Sequence, residues 1–394
     1  MTDTSAAHGV GMVGYAFMGR VHSQAWRSVG AFFDLPVTPV MAALSGRSGD
    51  RTAAAAASLG WAAVETDWKD LVARDDVQIV DICTPGDSHA EIAIAALEAG
   101  KHVLCEKPLA NTVAEAEAMV AAAERAAARG VRSMVAFNYR RVPAVALARQ
   151  WVAEGRLGRL RHVRAQYLQD WIVDPQFPLV WRLQKDKAGS GALGDIGSHI
   201  VDTAQYITGQ SLTGVSAITE TFVKERPLAE ESAGLAADAS EGAGETGTVT
   251  VDDAALFLGR FSGGAVGSFE ATRFASGRKN AMRIEVNGEL GSLAFDFESM
   301  NELWFHDHTL AAEEAGFRRV LVTESGHPYA GAWWPPGHGL GYEHTFTHEV
   351  KDFLEAIGEG TDPAPSFADG LRVQRVLEAV ADSAANDSRW TPIP

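Results

Sequence analysis

The chain has 394 residues, 46% hydrophobic and 22% charged, a globular balance with enough length for two domains. Its 51 acidic and 34 basic residues leave a formal charge of −17, which argues against nucleic acid or an anionic membrane as partner. No apolar run approaches the ~20 residues a membrane helix needs and no secretory signal opens the chain, while Cys83 and Cys105 read as buried free thiols, so a soluble cytoplasmic protein is expected.

Over residues 1–138, short apolar runs alternate with helical stretches. VGMVG (10–14), VMAAL (40–44), VQIVDIC (77–83), HVLCE (102–106) and RSMVAF (132–137) predict strands buried on both faces. Helices are predicted over 18–29, 51–59, 88–99 and 112–128, with Gly100 placed to end the third. Such alternation predicts an α/β domain, a doubly wound parallel sheet, over residues 1–138.

Residues 139–394 read differently, as an α+β domain with a largely antiparallel open sheet covered on one face by helices. A helix over 143–154 leads to an alternating strand over 159–171, and a Gly-rich run opens a helix near residue 195. Alternating strands follow at 254–261, 265–274, 282–288 and 291–297, and the Gly263–Gly264 turn makes a hairpin of the first two. Residues 225–250 are acidic, rich in Ala and Gly and without period, so a surface loop is expected. Helices over 343–357 and 368–385 close the chain.

The turn after the first strand reads VGMVGYAFMGRVH, in which Gly14, Ala16 and Gly19 fit G-x-A-x-x-G. A small first residue makes the turn, a second lets backbone approach a pyrophosphate, and a third packs helix against strand. In a Rossmann domain an acid is expected at the end of the second strand to hold the ribose 2′-hydroxyl; here Ser45, Gly46 and Arg47 stand there. No carboxylate at these positions opposes a 2′-phosphate and Arg47 could pair with one, which favours NADP over NAD; Arg47 could equally be a solvated turn residue.

In LCEKPLA (104–110), Lys107 lies between an acid and a proline that biases it away from helix. A lysine held in a rigid turn directly after a parallel strand is placed to meet a substrate oxygen. In GSGALGDIGSHIVD (189–202), Asp195, His199 and Asp202 fall at i, i+4 and i+7 on one helix face. A carboxylate beside an imidazole suits a general base; a capping aspartate with a core histidine is the plain alternative. No convincing third ligand accompanies this pair, so no metal is expected. His344 and His348 share a helical face, but Thr345 stands where a zinc protease needs an acid.

Together GMVGYAFMGRVHS, VDICTPGDSHAEIAIAALEAGKHVLCEKPLA, AFNYRR and GSGALGDIGSHIVD resemble the Gfo/Idh/MocA oxidoreductases, in that family's order and over nearly the whole chain. Within the family, YLQDW with a following WR and PPGHGLGY are similar to sugar and polyol dehydrogenases of the levoglucosan, inositol and L-glucose type. The resemblance implies Lys107, Asp195 and His199 as catalytic residues, and NAD or NADP as cofactor. It implies cofactor binding by Gly14, Ala16, Phe17, Met18, Gly19, Ser45, Arg47, Thr84, Pro85, His89, Glu106, Lys107 and Asn138. Arg140, Gln169, Asp170, Trp181 and Arg182 are further candidates for sugar contact, with Asp195 and His199. A cis-like turn at Lys107–Pro108 and a homo-oligomer, dimer or tetramer through the C-terminal sheet, are also implied. The expected reaction moves a hydride between a secondary alcohol of a cyclic sugar or polyol and the nicotinamide. The alternative is an NAD-dependent glycosidase that works by transient oxidation and elimination on the same scaffold.

Overall fold

The computed structural model describes residues 6–228 and 245–394. In chain order the first elements are β1 (Ala6–Val13), α1 (Phe17–Phe32), β2 (Val37–Ser45), α2 (Gly49–Leu59), β3 (Ala63–Glu65), α3 (Trp68–Ala73), β4 (Ile79–Ile82), α4 (His89–Glu98), β5 (His102–Cys105), α5 (Val113–Ala127) and β6 (Ser133–Val135). There follow α6 (Pro143–Ala153), β7 (Leu160–Leu168), α7 (Lys185–Ala188), α8 (Ser198–Thr208), β8 (Leu212–Glu220), β9 (Glu225–Pro227) and β10 (Thr246–Thr248). The chain ends with β11 (Ala254–Phe261), β12 (Val266–Thr272), β13 (Ala281–Gly288), β14 (Gly291–Asp296), β15 (Glu302–Asp307), β16 (Arg318–Leu321), α9 (Tyr342–Glu359), α10 (Phe367–Ala385) and β17 (Thr391–Pro392). Among the described residues, no helix is long and apolar enough to cross a membrane.

Two compact units result, residues 1–138 with 342–371, and residues 139–341 with 372–394. The sequence division at 138/139 marks the first boundary, but residues 342–371 return to the N-terminal unit. The reason is apolar: Phe346, Val350, Phe353 and Leu354 of α9 are buried in one cluster with Val10, Met12, Trp26, Val29, Val37 and Leu44. Burial of each such side chain is worth about 1.5–3 kcal/mol, and the polar composition of the helix elsewhere gives no reason to stay apart.

The N-terminal unit holds a six-stranded sheet of order β3-β2-β1-β4-β5-β6, parallel throughout. This is the strand order of a Rossmann fold, with its crevice where the order reverses beside β1. β4 is buried at every position, as an apolar run between helices requires. Gly100, at φ 77°, closes the helical segment before β5 as its spacing predicts. Both cysteines are free and buried.

The second unit holds a nine-stranded sheet of order β16-β15-β14-β13-β7-β12-β11-β8-β17. Its pairings are antiparallel except β12 with β7, which is parallel. β11 and β12 form the hairpin predicted around Gly263–Gly264. α8 packs on β7 and β13, and α6 packs on α8. The alternation in β11 buries Phe257 and Phe261 and leaves Leu256 and Leu258 exposed, Leu258 at 61%. A concavity of about 640 Å³ lies along this open face, lined by Leu256, Leu258, Ile218 and Trp304 among others.

The expected surface loop at 225–250 is not wholly irregular. β9 and β10 pair antiparallel at its two ends, and residues 229–244 between them lie outside the described residues. Arg226 explains the order: its buried guanidinium donates to the carbonyls of Asp174 (2.8 Å), Phe177 (3.2 Å) and Ile172 (2.6 Å), while Leu179 N–H donates to Pro227 (2.7 Å). A lone arginine in an acidic, aperiodic stretch gives no sequence signal of this kind.

Candidate functional site

In the N-terminal unit the turn from β1 to α1 carries the nucleotide-binding features. Gly14 sits at φ 96° and donates to Ser45 O at 3.0 Å. A Cβ on Gly19 would stand 2.3 Å from Gly14 O, so only glycine lets α1 approach β1 this closely. Ala16 is the N-cap; no side chain caps the helix and its first turn carries no acid. By contrast, α5 is closed by the Thr112–Glu115 capping box. The N-terminal N–H groups of α1 and its positive dipole end are therefore open to a phosphate, and the residues fit a dinucleotide. Phe17, half exposed, stacks on Tyr342 with ring centroids 6.3 Å apart. Ser45 is buried at the end of β2, Arg47 is exposed, and Asp50 lies in the first turn of α2.

The ends of β4 and β5 form a second part. The Lys107–Pro108 peptide is cis, as the resemblance implies. Lys107 is half-buried, and its N–H donates to Glu106 Oε2 at 3.0 Å. Glu106 Oε1 lies 3.0 Å from Nε2 of His22, whose Nδ1 lies 3.0 Å from both oxygens of Asp81. Trp26 Nε1 also donates to Asp81, at 2.7 Å. His89 is buried, with its ring nitrogens 3.0 Å from Pro108 O and 2.9 Å from Thr84 O. It ties the turn after β4 to the turn after β5 rather than facing outward. Thr84 Oγ1 accepts from Ser88 at 2.7 Å, Pro85 precedes a short 3₁₀ turn, and Asn138 Nδ2 donates to Thr345 Oγ1 at 2.9 Å.

In the second unit, residues Leu193–Gly197 form a π-helical turn that runs into α8. Asp195 lies in that wide turn, with its carboxylate 3.6 Å from Nη1 of Arg273. Arg273 is fully buried, and its Nε and Nη1 make no hydrogen bond; its guanidinium lies over the Trp171 ring. His199, at the start of α8, packs edge-on against Tyr139 at 4.6 Å and lies 5.9 Å from the Tyr167 ring. Asp202 is turned to Arg140, which donates from Nε (2.8 Å) and Nη2 (2.5 Å). The third member of the predicted face is thus committed to an ion pair, and the guanidinium of Arg140 with it.

Tyr139, Tyr167 and Asn280 close a ring of hydrogen bonds, missed in the sequence. Tyr167 donates to Asn280 Oδ1 (2.6 Å), Asn280 Nδ2 donates to Tyr139 (3.2 Å), and the two hydroxyls lie 2.5 Å apart. Burial pushes the Tyr139 phenol up to about 12, so it stays a neutral donor at working pH. Gln169 donates to Asn280 Oδ1 at 2.9 Å and accepts from Trp171 Nε1 at 3.0 Å. Asp170 pairs with Lys279 at 2.8 Å, and this hydrogen bond holds its carboxyl below the usual range. These two residues pin the 275–280 turn. Trp181 and Arg182 sit together on a 3₁₀ turn, both half-buried, with the guanidinium 4.3 Å from the ring centroid.

Residues 8–137 match the oxidoreductase family with an NAD-binding Rossmann fold, and residues 145–294 match the GFO/IDH/MocA C-terminal domain. The chain is 44% identical over 387 residues to levoglucosan dehydrogenase of Pseudarthrobacter phenanthrenivorans, covering 98% of each chain. A crystal structure of an oxidoreductase domain protein from Kribbella flavida is 65% identical, with TM-score 0.94 and coverage of 99% of this chain and 100% of that one. A structure of levoglucosan dehydrogenase with NADH and levoglucosan is 43% identical, with TM-score 0.91 and coverage of 98% and 100%. Two matched domains in sequence, an uncapped glycine-rich turn, a cis-proline lysine turn and an Asp-x-x-x-His segment all agree: the chain belongs to the Gfo/Idh/MocA oxidoreductase family.

Proposed function

We propose that this enzyme oxidises a secondary alcohol of a cyclic sugar or anhydrosugar, with levoglucosan as the first compound to test. The observation that carries this reading is the 98% two-way coverage by a levoglucosan dehydrogenase, on a chain that keeps Lys107, Asp195 and His199. A bound nicotinamide dinucleotide supplies the hydride acceptor. His199 takes the hydroxyl proton; its aromatic surroundings fix the plane of the ring. Lys107 donates to the developing alkoxide, where one charge-stabilising donor is typically worth about 10²–10³ in rate. Asp195, facing the Arg273 guanidinium, takes a hydrogen bond from a neighbouring substrate hydroxyl.

For the cofactor, Arg47 after β2 and the lack of an acid at Ser45 favour NADP, while Asp50 stands in the first turn of α2. The relative's complex with NADH weighs the other way, and we take NAD as the working cofactor. A homo-oligomer through the open face of the nine-stranded sheet is part of the proposal, supported by exposed Ile218, Leu256 and Leu258. A cytoplasmic setting is supported by the two free cysteines. The test is a panel of sugars, anhydrosugars and polyols with NAD⁺ and NADP⁺, followed by reduced-nucleotide absorbance. Levoglucosan-dependent reduction supports the reading. Cleavage of an aryl glycoside with no net reduction would replace it with the glycosidase.

A further inference from the structure

We infer that His22 is a permanently charged imidazolium that clamps the Glu106–Lys107 turn to the end of β4, a positioning residue for Lys107.

Hydrogen-bond inventory carries this inference. A neutral imidazole offers one donor and one acceptor, and an ionised carboxylate offers acceptors alone. His22 presents both nitrogens to carboxylates, Nδ1 to Asp81 and Nε2 to Glu106, each at 3.0 Å. With a neutral ring one contact would set lone pair against lone pair, in a place where His22, Asp81 and Glu106 are 1%, 0% and 4% exposed. Each acid also serves as an acceptor elsewhere. Asp81 already accepts from Trp26 Nε1 at 2.7 Å, and Glu106 Oε2 accepts from the Lys107 N–H at 3.0 Å. A proton on the ring makes every contact donor to acceptor and leaves the cluster one negative charge instead of two.

The groups facing the ring are Asp81 and Cys83 from the end of β4 and Glu106 from the end of β5, while α9 brings the uncharged Phe346 ring to 5.3 Å. Burial is the largest single effect and opposes the charge, but Asp81 and Cys83 together hold the imidazole well above its usual range. Burial pushes the Cys83 thiol up, so it remains protonated. Ligand atoms of His22, Asp81 and Cys83 lie within 4.8 Å of one another, yet a neutral thiol is a weak metal ligand. The partners lie 59 and 84 residues from His22, so one ring joins α1, β4 and the lysine turn.

The catalytic part rests on the role proposed for Lys107; the charge state does not, and the experiment separates them. Ring ¹⁵N–¹H spectra of the intact protein should show both His22 N–H groups at pH 8, where an ordinary histidine is neutral. In Asp81→Asn the carboxylate that favours the charged ring is gone and the new amide can donate to Nδ1, so the Nδ1–H signal should vanish at pH 8. His22→Asn keeps one donor for Asp81 and loses the one for Glu106. It should lower kcat about 10–100-fold, as loss of an orienting partner does, with NADH affinity within threefold of wild type. One ring N–H in wild type at pH 8, unchanged ring signals in Asp81→Asn, or stoichiometric metal lost in Cys83→Ala would each overturn the charged ring. Unchanged kcat in folded His22→Asn would overturn the positioning role and leave the spectra to decide the charge.

Discussion

Two glycines of α1 make opposite predictions for the same substitution. Gly30 has nothing within 4 Å of its missing Cβ, so Gly30→Ala should stabilise the protein by up to about 1 kcal/mol through helix propensity alone. Gly19→Ala gains the same propensity but places its methyl 2.3 Å from Gly14 O and 3.0 Å from Gly14 C, both backbone atoms. An ordinary carbon–oxygen contact needs ~3.3–3.6 Å, so helix and turn must part by about 1 Å. Such overpacking typically costs about 1–3 kcal/mol. If the free protein keeps its turn, the cost appears as a lower urea midpoint. If the turn opens, the cost appears at the phosphates as NADH binding weakened about 5–150-fold. Urea unfolding and NADH fluorescence titration on both variants read the two terms separately. A Gly19→Ala protein that matches Gly30→Ala in both assays would refute the close approach of α1 to Gly14 and its part in binding nucleotide.

Lys107→Ala should lower kcat about 10²-fold or more in a protein with an unchanged circular dichroism spectrum; near-normal turnover removes Lys107 from the chemistry. His199→Ala should erase the rising acidic limb of the kcat/KM profile, and survival of that limb would assign the proton to another group. Arg47→Ala should leave NAD⁺ affinity within twofold while weakening NADP⁺ by about 1–3 kcal/mol, the range for a hydrogen bond to a charged group; equal losses for both nucleotides would deny Arg47 a 2′-phosphate role. Phe353→Ala, at a fully buried position in α9, should cost about 3–5 kcal/mol by urea unfolding. A loss below 1 kcal/mol would show that α9 is not part of the N-terminal core.

Much of this was legible because the deciding interactions are local. Period and punctuation locate β1, β4, α4 and the β11–β12 hairpin, and the glycine spacing locates the nucleotide turn. What escaped depends on partners far along the chain. His22 looks like one histidine on an amphipathic helix until β4 and β5 bring two carboxylates to it. Tyr139 and Asn280 are 141 residues apart and meet only in the folded chain. Gln169 and Asp170 have the side chains expected of sugar binders, yet Asn280, Trp171 and Lys279 occupy them. The wide turn at 193–197 keeps Asp195 and His199 close to Tyr139 but sends Asp202 to Arg140, which helical arithmetic alone does not foresee.

The return of α9 to the N-terminal unit bears on how the protein is made. Ribosomes deliver chains N-terminus first, and a domain normally closes soon after its last residue emerges. Here the six strands are complete at Val135, but the helix that buries Trp26, Val29 and Val37 ends at Glu359. At ~5–20 residues per second that interval lasts roughly 10–45 s. Throughout it the nascent N-terminal unit carries an uncovered apolar patch on α1, while residues 139–341, most of the second unit, are being synthesised between the two parts of the first. Chaperone demand during synthesis should therefore track the length of the 139–341 segment, and slow codons within it should lower the soluble yield.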